Sequence, residues 1–228
     1  MTLRKLALFD LDHTLIPMDS DYSWGEFTVA LGWVDPDRFR RQNDAFYAQY
    51  ESETLDMDDY VRFSTAAFRQ QGEEKSVAAR RQYMRQVVAP RIRPEAIDLV
   101  RQHQIAGDDV IIVTATNEFV TRPIASAFGV EDIIAVDLER DTTPGSEGWF
   151  TGAIRGVPSF RGGKVARVQA WLDARALQWG QVHSTFYSDS INDLPLLEKV
   201  DTPVATNPDE RLRTIAMERG WRILDLFS

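Results

Sequence analysis

The tightest constraint on how this chain can fold lies near its start, where KLALFD at residues 5–10 runs four apolar residues into an aspartate and LDHT follows. A short, unbroken apolar run is the pattern of a strand covered on both faces, as in a parallel sheet. Side chains alternate along a strand, so Asp10 and Asp12 would face the same way if the strand continued, and two like charges would be forced together. Such a pair requires a cation or a shared proton.

Further apolar runs bounded by turn residues recur at 109–115 (DVIIVTA), 132–138 (DIIAVDL), 184–189 (STFYSD) and 202–206 (TPVAT). Between them lie helical patterns: PEAIDLVRQHQIAG closing at Gly107, NEFVTRPIASAFG closing at Gly129, and GKVARVQAWLDARAL opening near Gly163. Strands alternating with helices closed by glycine predict an α/β fold, a doubly wound parallel sheet. Between the first strand and the helix before the second, about 75 residues hold no strand-like run, far beyond the 2–6 of a simple βα loop. Four helical patterns fill them: DYSWGEFTVALGW, PDRFRRQNDAFYAQYES, DMDDYVRFSTAAFRQQ and EKSVAARRQYMRQVV. Asp35-Pro36 marks the second start as an N-cap followed by proline. The expected organisation is an α/β core from 1–16 and 90–228 with a four-helix insertion, 17–89, and a surface turn or hairpin at 140–152.

Composition narrows the function. With 26 Lys+Arg against 35 Asp+Glu, the net charge of -9 opposes attraction to nucleic acid or to anionic membranes. The absence of cysteine removes thiolate nucleophiles, zinc–thiolate sites and disulfides. No stretch approaches the roughly 20 apolar residues of a membrane span, so a soluble, cytoplasmic protein acting on a small molecule is expected. Of the three histidines, no role is assigned to His13, and His103 and His183 are expected on the solvated surface. The aromatic residues Trp24, Phe27, Trp33, Phe46, Tyr47 and Phe63 are expected to pack helices. GVPSFRGGKV is not a P-loop, because Val165 stands where a hydroxyl would bind magnesium.

In open parallel sheets ligands bind beyond the carboxyl ends of the strands. That rule selects Asp10 and Asp12, Thr114 and Thr116, then Asp189 with Asn192 and Asp193, and it adds Lys164 at a glycine-rich helix start. Several carboxylates, one lysine and a hydroxyl suit Mg²⁺-assisted phosphoryl transfer, since magnesium takes oxygen ligands and is satisfied by one or two carboxylates, waters and a phosphate oxygen. An aspartate can attack phosphorus, and a second carboxyl can protonate the leaving alkoxide and later activate water. Asp12 is placed for the second task. Lys164 and Thr114 can meet charge on the phosphoryl oxygens.

FDLDHT at 9–14, IIVTATN at 111–117, GGK at 162–164 and SDSINDLP at 188–195 resemble, in order and spacing, the four motifs of the haloacid dehalogenase superfamily. The resemblance spans essentially the whole chain and implies a Rossmann-like core with a helical cap. It further implies that Asp10 is nucleophile and metal ligand, and that Asp12 is general acid/base and offers its backbone carbonyl to Mg²⁺. Asp189 would bind the metal directly, Thr114, Lys164 and Asn192 would hold the phosphoryl group, and Asp193 would support the metal shell or orient Lys164. An acid at the position of Asp12 favours phosphate over carbon–halogen chemistry.

Within the superfamily LDHTLIPMDSDYSWGEF is most similar to a phosphoserine phosphatase-like branch that includes histidinol-phosphate phosphatases. Asp19 stands where phosphoserine phosphatases carry a glutamate, and Ser190 where they carry glycine. The resemblance thus implies a phosphatase acting on a small amine-bearing phosphate ester, with Asp19 toward the amine. A phosphotransferase or mutase, and a non-catalytic phospho-ligand scaffold, are the other readings. Oligomeric state is not readable.

Overall fold

The structure is a computed structural model that describes residues 3–52, 54–144, 146 and 148–227. Six parallel strands form the central sheet: β1 (Arg4–Phe9), β2 (Asp109–Asn117), β3 (Asp132–Val136), then, after a two-stranded hairpin of β4 (Leu138–Arg140) and β5 (Phe150–Ile154), β6 (Val182–Ser188), β7 (Thr202–Thr206) and β8 (Arg222–Leu224). The order is β3-β2-β1-β6-β7-β8, with β1 paired to both β2 and β6. The sheet order therefore reverses at β1, where a crevice opens past the strand ends.

Both faces of the sheet are covered, which explains the unbroken apolar runs. Ala7 and Phe9 join the apolar cluster on one face, Leu6 and Leu8 that on the other. The covering helices are α5 (Pro94–Ile105), α6 (Glu118–Ala127), α7 (Gly162–Asp173), α8 (Leu194–Leu197) and α9 (Glu210–Arg219), preceded in the chain by the insertion helices α1 (Ser20–Ala30), α2 (Pro36–Glu51), α3 (Met57–Gln71) and α4 (Glu73–Tyr83). Asp35 caps α2 by accepting the Arg38 N–H, with Pro36 in its first turn. Beyond α4 the chain widens into a π turn, Met84–Val88, before re-entering the core. Among the described residues, no helix is long and apolar enough to cross a membrane.

Three elements differ from the sequence reading. DIIAVDL is broken at Asp137, whose carbonyl accepts the Arg155 N–H and whose carboxylate takes Arg167, so Leu138 starts the hairpin rather than ending β3. That hairpin is no mere surface turn, because Trp149 and Phe150 are buried and contact Phe68 of α3. Nor is His103 solvated: it bridges Asp108 at 2.7 Å and the Tyr187 hydroxyl at 2.8 Å, against the Phe9 ring. His183 is exposed, as expected.

The insertion meets the core along two unlike edges. On one, Phe68 stacks on Phe119 of α6 with ring centroids 4.3 Å apart, and Arg80 lies over the same ring while donating to the Phe119 carbonyl at 2.8 Å. On the other, Tyr50 of α2 shares a 3.0 Å hydrogen bond with Ser190 in the loop after β6.

Candidate active site

β1 delivers Asp10 to the crevice, where its N–H still donates to Tyr187 of β6 at 2.9 Å. The chain then leaves strand geometry. Leu15 and Ile16 donate back to the Leu11 carbonyl, and His13 adopts a left-handed φ of 56°, its carbonyl taken by Asn207. This turn separates the two aspartates. Asp10 accepts Lys164 Nζ on Oδ1 at 2.7 Å and the Thr14 hydroxyl on Oδ2 at 3.1 Å. Asp12 instead accepts the Ser20 N–H on Oδ1 and the Thr116 hydroxyl on Oδ2, both at 2.9 Å. Burial, followed by the charges of Asp19 and Asp10, raises the Asp12 carboxyl well above the usual carboxylate range. A carboxyl so raised suits a proton donor.

Lys164 reaches Asp10 from the first turn of α7. Glycine is needed at 163 because a Cβ there would lie 2.0 Å from the Pro158 carbonyl oxygen. The ammonium, 2% exposed, also donates to Asp193 Oδ2 at 2.7 Å. Burial opposes its charge, but Asp10 and Asp193 together hold it protonated above the ordinary lysine value. Burial in turn pushes Asp193 up to about 6 against the pull of Lys164, and Ser188 donates to it at 2.7 Å.

Thr14 joins the third carboxylate to this group. Its Oγ1 lies 3.1 Å from Asp189 Oδ1 as well as from Asp10 Oδ2, and it accepts the Asp189 N–H. Burial, then the charges of Asp10 and Asp193, raise Asp189 well above the carboxylate range. Two buried carboxylates on one ammonium, with the half-buried Asp189 beside them, leave an excess of negative charge that a small hard cation would neutralise. Among the described residues no three acidic or histidine side chains form a metal cage. Asp10 and Asp189, joined through Thr14, are the carboxylates that could hold a divalent cation such as Mg²⁺, which takes oxygen ligands and keeps several waters.

Thr114 is buried at the end of β2 and accepts the Thr116 N–H at 3.1 Å. Asn192 lies at the edge toward the insertion and accepts Arg161 Nε at 3.0 Å. Asp19 is exposed and caps α1, accepting the Tyr22 N–H at 2.8 Å. The structure thus gathers Asp10, Lys164, Asp189 and Asp193, hangs Asp12 beside them, and leaves Asn192 and Asp19 at the rim. Sequence reasoning passed over Thr14, although it is the last residue of DLDHT, and gave Thr116 no partner. Asp21, which the sequence sets beside Asp19 just past the catalytic turn, is buried and accepts Tyr60 Oη at 2.8 Å and Asn117 Nδ2 at 3.1 Å.

Comparison with known proteins gives this geometry its context. A family model described as haloacid dehalogenase-like hydrolase matches residues 7–198. The chain is 40% identical over 226 residues to the Neisseria meningitidis protein named histidinol-phosphatase, covering 98% of this chain and 99% of that one. A solved protein of unknown function from Bordetella pertussis superimposes with a TM-score of 0.91 at 46% identity, over 99% of this chain and 100% of the other. A phospho-aspartyl intermediate analogue of phosphoserine phosphatase, 14% identical, has a TM-score of 0.63 over 98% and 93% of the two chains and shares the fold. The chain belongs to the haloacid dehalogenase-like hydrolase family.

Proposed function

We propose that the protein is a Mg²⁺-dependent cytoplasmic phosphomonoesterase that hydrolyses a small amine-bearing phosphate ester, histidinol phosphate ahead of phosphoserine, through an aspartyl-phosphate on Asp10. The observation that carries the reading is the division of labour between the aspartates: Asp10 is held by Lys164 and Thr14, while Asp12 has other partners and a raised carboxyl. Likeness to a relative named histidinol-phosphatase over almost the full length of both chains supports the order of substrates.

In the first step a carboxylate oxygen of Asp10 bonds to phosphorus, the ester P–O bond breaks, and the leaving oxygen takes the proton of Asp12. In the second, Asp12 removes a proton from water, the water oxygen bonds to phosphorus, and the acyl-phosphate bond returns its electron pair to Asp10. Lys164 stays protonated throughout and meets the phosphoryl oxygens, with Thr114 and Asn192 as further donors. Thr14 orients Asp10 and Asp189. Mg²⁺, held by Asp10, Asp189 and the Asp12 carbonyl, would supply charge neutralisation so that carboxylate and phosphate can approach.

The test is phosphate release from a panel of small phosphomonoesters with Mg²⁺ and then with chelator. Activity should vanish with chelation and return with Mg²⁺, and Ca²⁺ should inhibit through its looser shell. Asp10→Asn should abolish turnover and beryllofluoride binding, whereas Asp12→Asn should keep that binding and lose about 10²–10⁴-fold in rate. Full activity in chelator, or wild-type turnover by Asp10→Asn, would overturn the reading, and phosphate passed to an added acceptor alcohol in preference to water would make the protein a phosphotransferase.

A further inference from the structure

We propose that a cavity within the helical insertion, with Asp21 and Tyr60 at its wall, receives the cationic end of the leaving group, an organic ammonium or imidazolium. This rests on the amine-bearing substrate proposed above and assigns its recognition to Asp21. The cavity measures about 170 Å³ and lies among α1, α2 and α3, with Gly25, Trp33, Phe39 and Phe63 also in its lining. Gly25 is required by its shape, because a Cβ there would lie 2.3 Å from the Phe39 ring.

The chemistry of the lining points to a cation. Asp21 is 6% exposed, and its hydrogen-bond donors Tyr60 and Asn117 are neutral, so neither brings a positive charge to offset its own. A buried carboxylate without a cation is costly, and an incoming ammonium relieves that cost. Aromatic walls add attraction for organic cations in particular. Arg38, the one cationic side chain in the lining, is exposed on α2.

Hydrogen bonds place the wall of the cavity near the proton donor. The leaving oxygen must meet Asp12, which takes its proton bonds from Ser20 and Thr116. The next residues along both chains are Asp21 and Asn117, and these are bonded to each other. Two straps therefore run from the proton donor to the cavity wall. Asp19, by contrast, is exposed and spends one oxygen on capping α1.

The experiment compares kcat/KM for L-histidinol phosphate with that for 3-phenylpropyl phosphate, a neutral analogue of equal length. Asp21→Asn should lower the cation-to-neutral ratio about 10- to 100-fold, the worth of a hydrogen bond to a charged group, while Asp19→Asn keeps the wild-type ratio. Ala66→Leu, which fills the cavity from α3 and leaves Asp21 in place, should lower the ratio likewise and decides the matter if Asp21→Asn does not fold. As a readout without catalysis, L-histidinol should raise the Tm of the wild type and not that of either cavity variant. An unchanged ratio in Asp21→Asn and Ala66→Leu, or a drop confined to Asp19→Asn, overturns the assignment. If the wild type hydrolyses neither ester yet binds histidinol through Asp21, the proposed activity fails and the cavity site stands.

Discussion

The Thr116 hydroxyl donates to Asp12 Oδ2 at 2.9 Å, tying the end of β2 to the turn after β1 across 104 residues of chain. In the reaction proposed above, Thr116 aims the proton donor Asp12 without itself contacting the phosphoryl group. Thr116→Val should therefore lower kcat about tenfold with little change in KM, the cost of one mispositioned hydrogen bond. Thr116→Ser should restore it. Steady-state kinetics on both variants checks this, and equal losses in Val and Ser would mean that the methyl group matters rather than the hydroxyl.

Among the described residues Lys164 is the sole ammonium bonded to Asp10 and Asp193, and its removal leaves two buried carboxylates without that counter-charge. Lys164→Met should lose about 10²–10³-fold in kcat and destabilise the fold by about 3–5 kcal/mol at neutral pH. Urea unfolding should show that deficit shrinking as pH falls, because protonated carboxyls no longer need the ammonium.

Asp21 yields a pH dependence of stability. Burial first, and the charge of Asp19 second, raise its carboxyl from 3.8 to about 6. Between those values the folded protein binds more protons than the unfolded chain, so stability falls as pH rises through this window. Asp21→Asn removes the titration and keeps the bond from Asn117 to its remaining oxygen, while the Tyr60 hydroxyl reverses to accept from the new amide. Its stability relative to the wild type should therefore grow by about 3 kcal/mol from pH 4 to pH 8. A constant difference across that range would show that Asp21 titrates normally.

Phe68, wholly buried, stacks on Phe119 and meets Trp149 and Phe150 edge-on. Phe68→Ala should cost about 3–5 kcal/mol through lost contact and the cavity left behind, measurable by urea denaturation. Tyr50→Phe, at the opposite edge, removes the hydrogen bond to Ser190 and leaves no cavity, a loss of about 1 kcal/mol.

The sheet was legible because strands buried on both faces leave apolar runs in the chain, and the first five parallel strands all carry one. β8 carries only Arg222–Leu224 at the sheet edge, too short for a pattern. Asp10, Lys164, Asp189 and Asp193 could be selected because strand and helix ends bring them to one crevice whatever the insertion does. The partners of Asp12, Asp21 and Ser190 could not. Asn117 and Tyr50 meet Asp21 and Ser190 only through the way the insertion settles on the core, and Thr116 meets Asp12 only because the chain turns out of strand geometry after Asp10, with separations of 96, 140 and 104 residues. Such pairings leave no periodicity in sequence. His103 misled for a related reason: an ordinary helix position acquired partners from β6 and from the loop before β2.

The aromatic edge has a thermodynamic consequence. Trp24, Phe68 and Tyr83 of the insertion share one continuous apolar cluster with Phe9, Ile112 and Phe119 of the core. An insertion that shares its interior with the sheet has no separate melting equilibrium, so heat takes both in a single cooperative transition. Fluorescence from Trp24 and Trp149, inside the shared cluster, and retention of the phosphate site should then decay together. No temperature exists at which the carboxylates remain assembled beneath a molten roof.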